Sequence, residues 1–435
     1  MRQAYLIILF FLSVTGGLGQ VADTLSLSEA LSLALRNNFS ISLAVNGTRI
    51  AELNNTAGNA GMLPQVGLTG TRSVSVNNTY QRYYDGRERQ SASARNDNIS
   101  GGIALGWTLF DGFDMFIQKQ RLSEMQGLSE IQLQATIENT AAEVISAYYA
   151  VITQQKMVDV YREAMVITSE RKRIAKAGVG FGTSSELSLL QASVDYNADS
   201  SAYIQQIKLL QNAKIELNRI LCRDLYILFE VYPDIPFRTD LSFEELWESV
   251  SKQNPEIRAS RTSLSIALLE RRSANSSWYP HISLSSGYNL SKSESEVGIM
   301  QLNQNRGYNV GLTATYSLFD GLIQKQNRAK ALINVESARL AADQTELDIR
   351  AHLQRIFNDY QTNLQLSSFE GENVKLAQRN LAIATEKYRI GSANDIELRE
   401  TQQKLMDAEN RYLTAQYRCK TSETELLRMS GSLGL

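Results

Sequence analysis

Few residues in this chain of 435 are placed to do reaction chemistry. The two histidines, His281 and His352, and the two cysteines, Cys222 and Cys419, are scattered singly. They offer neither a metal-ligand spacing nor a nucleophile–base set. The glycine-rich run Gly178-Val179-Gly180-Phe181-Gly182 joins two helical stretches instead of following a strand, so it reads as a turn between antiparallel rods and needs no nucleotide. No catalytic residue, cofactor or metal is therefore assigned. What remains is charge at a helix start: Glu397 and Glu400 lie just after Gly391. Read alone, they are solvated carboxylates favoured by the positive end of a helix dipole.

Composition narrows the class. A formal charge of -2 gives no basic face for nucleic acid. Only 5 prolines leave long stretches free to stay helical, and 19 tyrosines suit interfaces and membrane–water boundaries. Arg2, the apolar run Ala4 to Leu12 and the small residues Gly16, Gly17 and Gly19 are expected to form an export signal over 1–19, cleaved near Gly19-Gln20. No cysteine precedes Cys222, so no lipid anchor on an N-terminal cysteine is expected. Beyond the signal no apolar run is long enough for a membrane-spanning helix. Export permits a disulfide, but the two cysteines do not match in position between the repeats described next, and both are expected to be reduced and buried.

The elements that would carry any site are written twice. An offset of 216 residues brings Leu25-Ser26-Leu27-Ser28-Glu29 onto Leu241-Ser242-Phe243-Glu244-Glu245, Asn38 onto Asn254 and Pro64 onto Pro280. Further on, an offset of 209 brings Leu109-Phe110-Asp111-Gly112 onto Leu318-Phe319-Asp320-Gly321 and Gly182 onto Gly391. From Asp-Gly to the later glycine both copies run 71 residues without a gap, as two rigid rods would. The expected organisation is a first repeat over 20–224, a linker over 225–240 and a second repeat over 241–435.

Each copy has one internal order. A short helix (Ser28 to Asn38) precedes a second helical stretch ending near Gly61, and Leu63-Pro64 stops it. Strands are expected at about 64–76 and 98–110, then at about 281–290 and 307–319. Their period of two places Val66, Leu68, Val74, Ile103, Leu105 and Trp107 on one face, interrupted by Arg72, and small polar residues on the other. In the second copy Tyr308, Val310, Leu312, Tyr316 and Leu318 continue the apolar face. Helical rods follow, Gln118 to Ala177 and Leu322 to Tyr388, each about 100 Å long at 1.5 Å per residue. Such rods need a partner along their whole run. Leu398, Leu405, Tyr412, Cys419 and Leu426 supply a heptad seam on the return helix, matched by Leu189, Tyr196, Tyr203, Leu210 and Leu217 in the first copy.

Four strands with one apolar face are too few for a soluble sandwich. Lipid explains the apolar face and water the small polar face. Open edges are not tolerated in lipid, so closure by further copies is expected, giving 8 strands in a dimer or 12 in a trimer. A soluble meander capping a coiled coil is the competing arrangement.

Leu63-Pro64 and Tyr279-Pro280, the paired Leu-Phe-Asp-Gly motifs, Val144–Tyr148 with Leu353–Phe357, and the turns at Gly182 and Gly391 together resemble an outer-membrane factor of the TolC family along nearly the whole mature length. The resemblance implies a mainly α chain with a small β part: a homotrimer whose 12-stranded outer-membrane barrel continues into a periplasmic α-barrel, with a mixed equatorial region including Tyr232-Pro233-Asp234-Ile235-Pro236. It implies a periplasmic adaptor (membrane fusion protein), an inner-membrane RND or ABC pump and outer-membrane lipid as partners, in efflux or type I secretion. It also implies that Glu397 and Glu400 ring the periplasmic entrance, that Tyr388 is a gate contact, and that the turns Gly182-Thr183-Ser184 and Gly391-Ser392-Ala393 dock the adaptor. The family's gate arginine would fall on Ala393 and its acidic partner on Ser188, so the closing contacts must differ; Arg389 and Asp395 are the nearest alternatives. A structural or adhesive coiled-coil protein is the alternative function, though a fibre needs only one strand-to-rod junction and the chain has two.

Overall fold

The computed structural model describes residues 23–433, so the expected signal over 1–19 lies outside the described residues. In chain order the elements are β1 (Asp23–Leu25), α1 (Leu27–Asn37), α2 (Phe39–Asn54), β2 (Gln65–Arg82), β3 (Glu88–Phe110), α3 (Asp114–Gly180) and α4 (Glu186–Ile220). The linker contributes β4 (Phe229–Val231), and the second copy contributes α5 (Phe243–Gln253), α6 (Pro255–Ser276), β5 (His281–Ser295), β6 (Leu302–Thr315), α7 (Ile323–Arg389) and α8 (Asp395–Met429). The chain is mainly helical, with a four-stranded antiparallel sheet ordered β2-β3-β5-β6 and a two-stranded parallel pair, β1 with β4. The three-residue strands of that pair were too short for any periodicity to reveal.

Two compact units share the chain. One takes residues up to Asn38, Thr140–Asp240 and Phe357–Glu425; the other takes Phe39–Asn139, Leu241–Ile356 and the residues from Leu426 on. The second unit contains the four-stranded sheet. Its register fixes two faces. Leu68 pairs with Ile103, Ile103 with Tyr288 and Tyr288 with Tyr308, so these four side chains share one face. Thr69, Gly102, Asn289 and Gly307 share the other. The apolar face is open to solvent at many positions, with Leu68 82% exposed and Tyr308 85%.

β2 and β3 run well beyond the expected Val76 and Asn98, through a hairpin of Tyr83 to Arg87. Those outer residues are polar on both faces, so an apolar alternation could not mark them. At the other end β6 stops at Thr315, and Tyr316 and Leu318 lie outside the strand. α2 ends at Asn54, earlier than the expected Gly61. There the Asn59 side chain donates to the Asn54 carbonyl and the Thr56 hydroxyl accepts from the Asn59 N–H, a local alternative to helical bonding.

The duplicated Asp-Gly motif turns strand into rod. Asp111 accepts from the Met115 N–H at 2.9 Å and Asp320 from the Gln324 N–H at 2.8 Å, capping α3 and α7. Gly112 and Phe113 both have positive φ (73° and 70°), as do Gly321 and Leu322 (71° and 69°). A second repeated bond holds the return rods: the Asn38 amide donates to the carbonyl of Ile220, the last residue of α4, and the Asn254 amide to that of Met429, the last of α8. Each satisfies one carbonyl that a helix end leaves orphaned.

In the first unit the rods pack side by side. Leu381, Ala384, Leu398 and Leu405 form a buried cluster of α7 and α8, against which Ile167 of α3 and Tyr388 pack. The seam residues Cys419 and Leu426 are fully buried, while Tyr412 is half-buried. Both cysteines are free; Cys419 is buried, but Cys222 is only half-buried, because it sits at φ 50° in the turn that ends α4. Burial and the Glu423 charge push the Cys419 thiol up to about 11.

Candidate functional site at the helical tips

The two tip turns are built alike. The Gly178 carbonyl accepts from the N–H groups of Thr183 and Ser184, and the Lys387 carbonyl from those of Ser392 and Ala393. The Thr183 and Ser392 hydroxyls donate to the same two carbonyls. Gly182 and Gly391 take φ of 73° and 75°, which glycine adopts without a Cβ penalty. Ser185 then caps α4 and Asn394 caps α8, each accepting from a backbone N–H three residues on. The expected docking residues Gly182, Thr183, Ser184, Gly391 and Ser392 are all exposed on these turns, and Ala393 is half-buried.

Glu397 and Glu400 lie on the exposed surface of α8 in its first two turns. They differ in company. Glu400 pairs with Lys404 at 2.7 Å, and that hydrogen bond and charge hold its carboxyl below the usual range. Tyr388 is half-buried against the α7–α8 cluster. Burial raises its hydroxyl pKa and the nearby Asp395 charge adds to this, while the Arg171 charge partly offsets it.

Asp395 leads to a network the sequence reading missed. Arg171 of α3, its side chain 2% exposed, reaches Asp395 through Nε at 3.0 Å and Nη2 at 2.5 Å, and Asp195 of α4 through Nη1 at 3.1 Å. Burial works against the Arg171 charge, but Asp395 and Asp195 outweigh it and leave its pKa raised. One turn along, Arg399 forks onto Asp199 at 2.7 and 3.0 Å, and Asp199 is itself 5% exposed. Gln402 donates to the Ala164 carbonyl of α3 at 2.9 Å. Two arginines and three aspartates thus tie α3, α4 and α8 together, and the charges of Asp395 and Arg171 reach Tyr388 of α7. Arg389, the other alternative, is exposed and pairs with Glu386 on its own helix.

The charges are exchanged relative to the expected gate. The arginine comes from the first hairpin and its carboxylate from the start of α8, so Ala393 and Ser188 need play no part; Ser188 bonds only to Ser185 among its side-chain contacts. A signal was present in the repeat itself. At the 209-residue offset Arg171 meets Asn380, Asp195 meets Lys404, Asp199 meets Ala408 and Arg399 meets Leu190. Of the network only Asp395 meets a like residue, Glu186; the other four members sit where the two copies disagree.

Among the described residues no cluster of three or more His, Cys, Asp or Glu could hold a metal, and no helix is long and apolar enough to cross a membrane. No curated protein sequence matches the chain. Solved structures do match it in fold. The outer membrane channel CmeC of Campylobacter jejuni superposes with a TM-score of 0.78 at 18% identity, covering 94% of this chain and 86% of that one. The outer membrane protein VceC of Vibrio cholerae gives 0.76 at 15%, covering 93% and 96%. A membrane protein from Pseudomonas aeruginosa gives 0.79 at 17%, covering 95% and 92%. The family model described as outer membrane efflux protein matches residues 30–223 and 246–432, one block in each repeat. The chain belongs to the outer membrane efflux protein family.

Proposed function

We propose that this chain is the subunit of a passive exit duct, serving a tripartite efflux or type I secretion system in a Gram-negative outer membrane. The observation that carries the reading is the four-stranded sheet: its apolar face is open to solvent at many positions, its edge strands β2 and β6 are unpaired, and each strand pair feeds a pair of long rods. A sheet of this kind is stable in lipid only when closed by further copies. Three copies give 12 strands and fit the trimer that the family resemblance implies. The polar face then lines water, and the rods extend into the periplasm.

At the tips, docking of a periplasmic adaptor on Gly182-Thr183-Ser184 and Gly391-Ser392-Ala393 would free α8 from the Arg171 network, with the energy supplied by an inner-membrane RND or ABC pump. Glu397, repeated three times around the trimer axis, gives the entrance a negative potential that favours cations. Glu400 contributes less, because Lys404 offsets it.

Planar-bilayer recording of the purified trimer tests this. The expected result is a small, cation-preferring conductance, with the preference reduced more by Glu397→Gln than by Glu400→Gln. Absence of any conductance, with no efflux phenotype on deletion, would favour the structural or adhesive alternative. An unchanged preference in both variants would remove the acidic entrance.

A further inference from the structure

Over Gln65 to Asn77 and the residues paired with it, the strand register places every formal charge of the sheet on its apolar face. From Gln65 to Asn77 and along the partner strands, the polar face holds only Gly, Ala, Ser, Thr, Asn and Gln. The apolar face behaves differently along its length. From Ile282 to Leu290 it is interrupted on β5 only by Ser286, which lies between Leu105 and Val310, and then gives way to ions: Arg306 lies opposite Leu290, Ile99 lies between Arg72 and Lys292, and one row on Asp97 pairs with Glu294. Arg95, opposite Val76, completes the group.

The level of this row follows from strand geometry. Ile282 to Leu290 rises about 27 Å at about 3.4 Å per residue. A tilt near 40° brings that to about 20 Å along the membrane normal, close to the roughly 25 Å apolar band of membrane barrels. The ionic row therefore falls where hydrocarbon ends, at the sheet end bearing the β2–β3 and β5–β6 hairpins. Four cations, Arg72, Arg95, Lys292 and Arg306, face three carboxylates there, Asp97, Glu294 and Glu296, the last accepting from the Arg95 backbone N–H. Arg72 and Arg95 share Asp97 (2.8 and 3.3 Å) and Lys292 pairs with Glu294 at 2.5 Å. Arg306 is exposed, with no ion pair in the chain among the described residues. An excess of exposed cations beside a lipid-facing surface is complementary to phosphate, which a guanidinium fork binds in two-point fashion.

We propose that this belt binds the phosphorylated headgroups of outer-leaflet glycolipids. Arg306 and Lys292 take the phosphate oxygens, and the acyl chains lie on the apolar face below. The assignment rests on the exit-duct reading, which orients the sheet in the membrane. A lipid is the occupant rather than free phosphate because the basic row and the apolar face are continuous: a ligand carrying both phosphate and acyl chains meets both.

The test uses the purified full chain in detergent and native mass spectrometry. The probes are bis-phosphorylated lipid A, fully dephosphorylated lipid A and inorganic phosphate as competitor. The wild-type protein is expected to retain the bis-phosphorylated lipid in preference to the dephosphorylated one, and millimolar phosphate is expected not to displace it. Arg306→Gln combined with Lys292→Gln should weaken retention by about tenfold or more, the scale of losing a charge-assisted hydrogen bond. Arg87→Gln, in the hairpin, should change little. Equal retention of both lipids, displacement by free phosphate, or an unchanged double variant would overturn the proposal; the first two need only wild-type protein. Bilayer conductance of the same preparations keeps the two readings apart. A conducting protein without lipid preference sinks the belt alone, and a non-conducting wild type sinks the duct.

Discussion

Arg171 is the residue on which the proposed closure turns. Its guanidinium is buried and held by carboxylates of two other helices, and its raised pKa keeps it charged at any physiological pH. Under the proposed duct, opening would therefore separate the charges instead of discharging the arginine. Removing one partner of a buried pair leaves the other uncompensated, at a cost of about 3 kcal/mol or more. Arg171→Gln is expected to lower the unfolding temperature and raise bilayer conductance, and Asp395→Asn to do the same less strongly because Asp195 still holds the arginine. A conductance equal to wild type in Arg171→Gln would remove the network from the gate. Glu409 of α8 works in the opposite sense. Burial raises its pKa, the Gln378 amide partly offsets this, and the Glu163 charge adds to it. A carboxyl with a raised folded pKa is stabilising when protonated, and that contribution is lost as pH rises through the folded value. Glu409→Gln should therefore unfold at higher temperature than wild type near pH 7. The gap should close as pH falls below the usual carboxylate range, where Glu is protonated in both states. A constant gap across that range would show that the charge is not the cause.

At the scale of elements, the Asp-Gly junctions set where strand becomes rod, and the two copies differ in tolerance. A Cβ on Gly112 would strike the Ser276 carbonyl oxygen, whereas one on Gly321 meets nothing within 4 Å. Both glycines have positive φ. Gly321→Ala is expected to cost about 1 kcal/mol from backbone conformation alone, and Gly112→Ala about 3 kcal/mol with the clash added. Thermal unfolding of the two variants side by side checks the order; equal losses would mean that the contact relaxes freely. The junctions were legible in sequence because they are an exact tetrapeptide written twice, and the rods because Leu398, Leu405, Cys419 and Leu426 keep apolar period along α8. The Asp195–Arg171–Asp395 chain was not legible by that criterion. Its members are polar residues in a seam, and a search for apolar heptads passes over them. The outer halves of β2 and β3 were missed for the same reason. β1 and β4 escaped because a pairing between residues so far apart in sequence leaves no local trace in three residues.

Across the whole molecule, duplication supplies structure and divergence supplies the site. The junction caps at Asp111 and Asp320, the Asn38 and Asn254 bonds and the two tip turns are shared by both copies. Arg171, Asp199, Tyr388 and Arg399 belong to one copy each. The neutral polar face of the sheet and the ionic tips divide the work proposed for a duct: a wall that discriminates little, and an entrance that does. One further property follows from the rods. α3 and α7 are each 67 residues long, and α4 and α8 are each 35. An insertion in one rod alone would throw its seam and its tip out of step with the other three. A change of reach that keeps the seams in register therefore needs matched heptads in both halves of the chain, so rod length changes in steps rather than residue by residue.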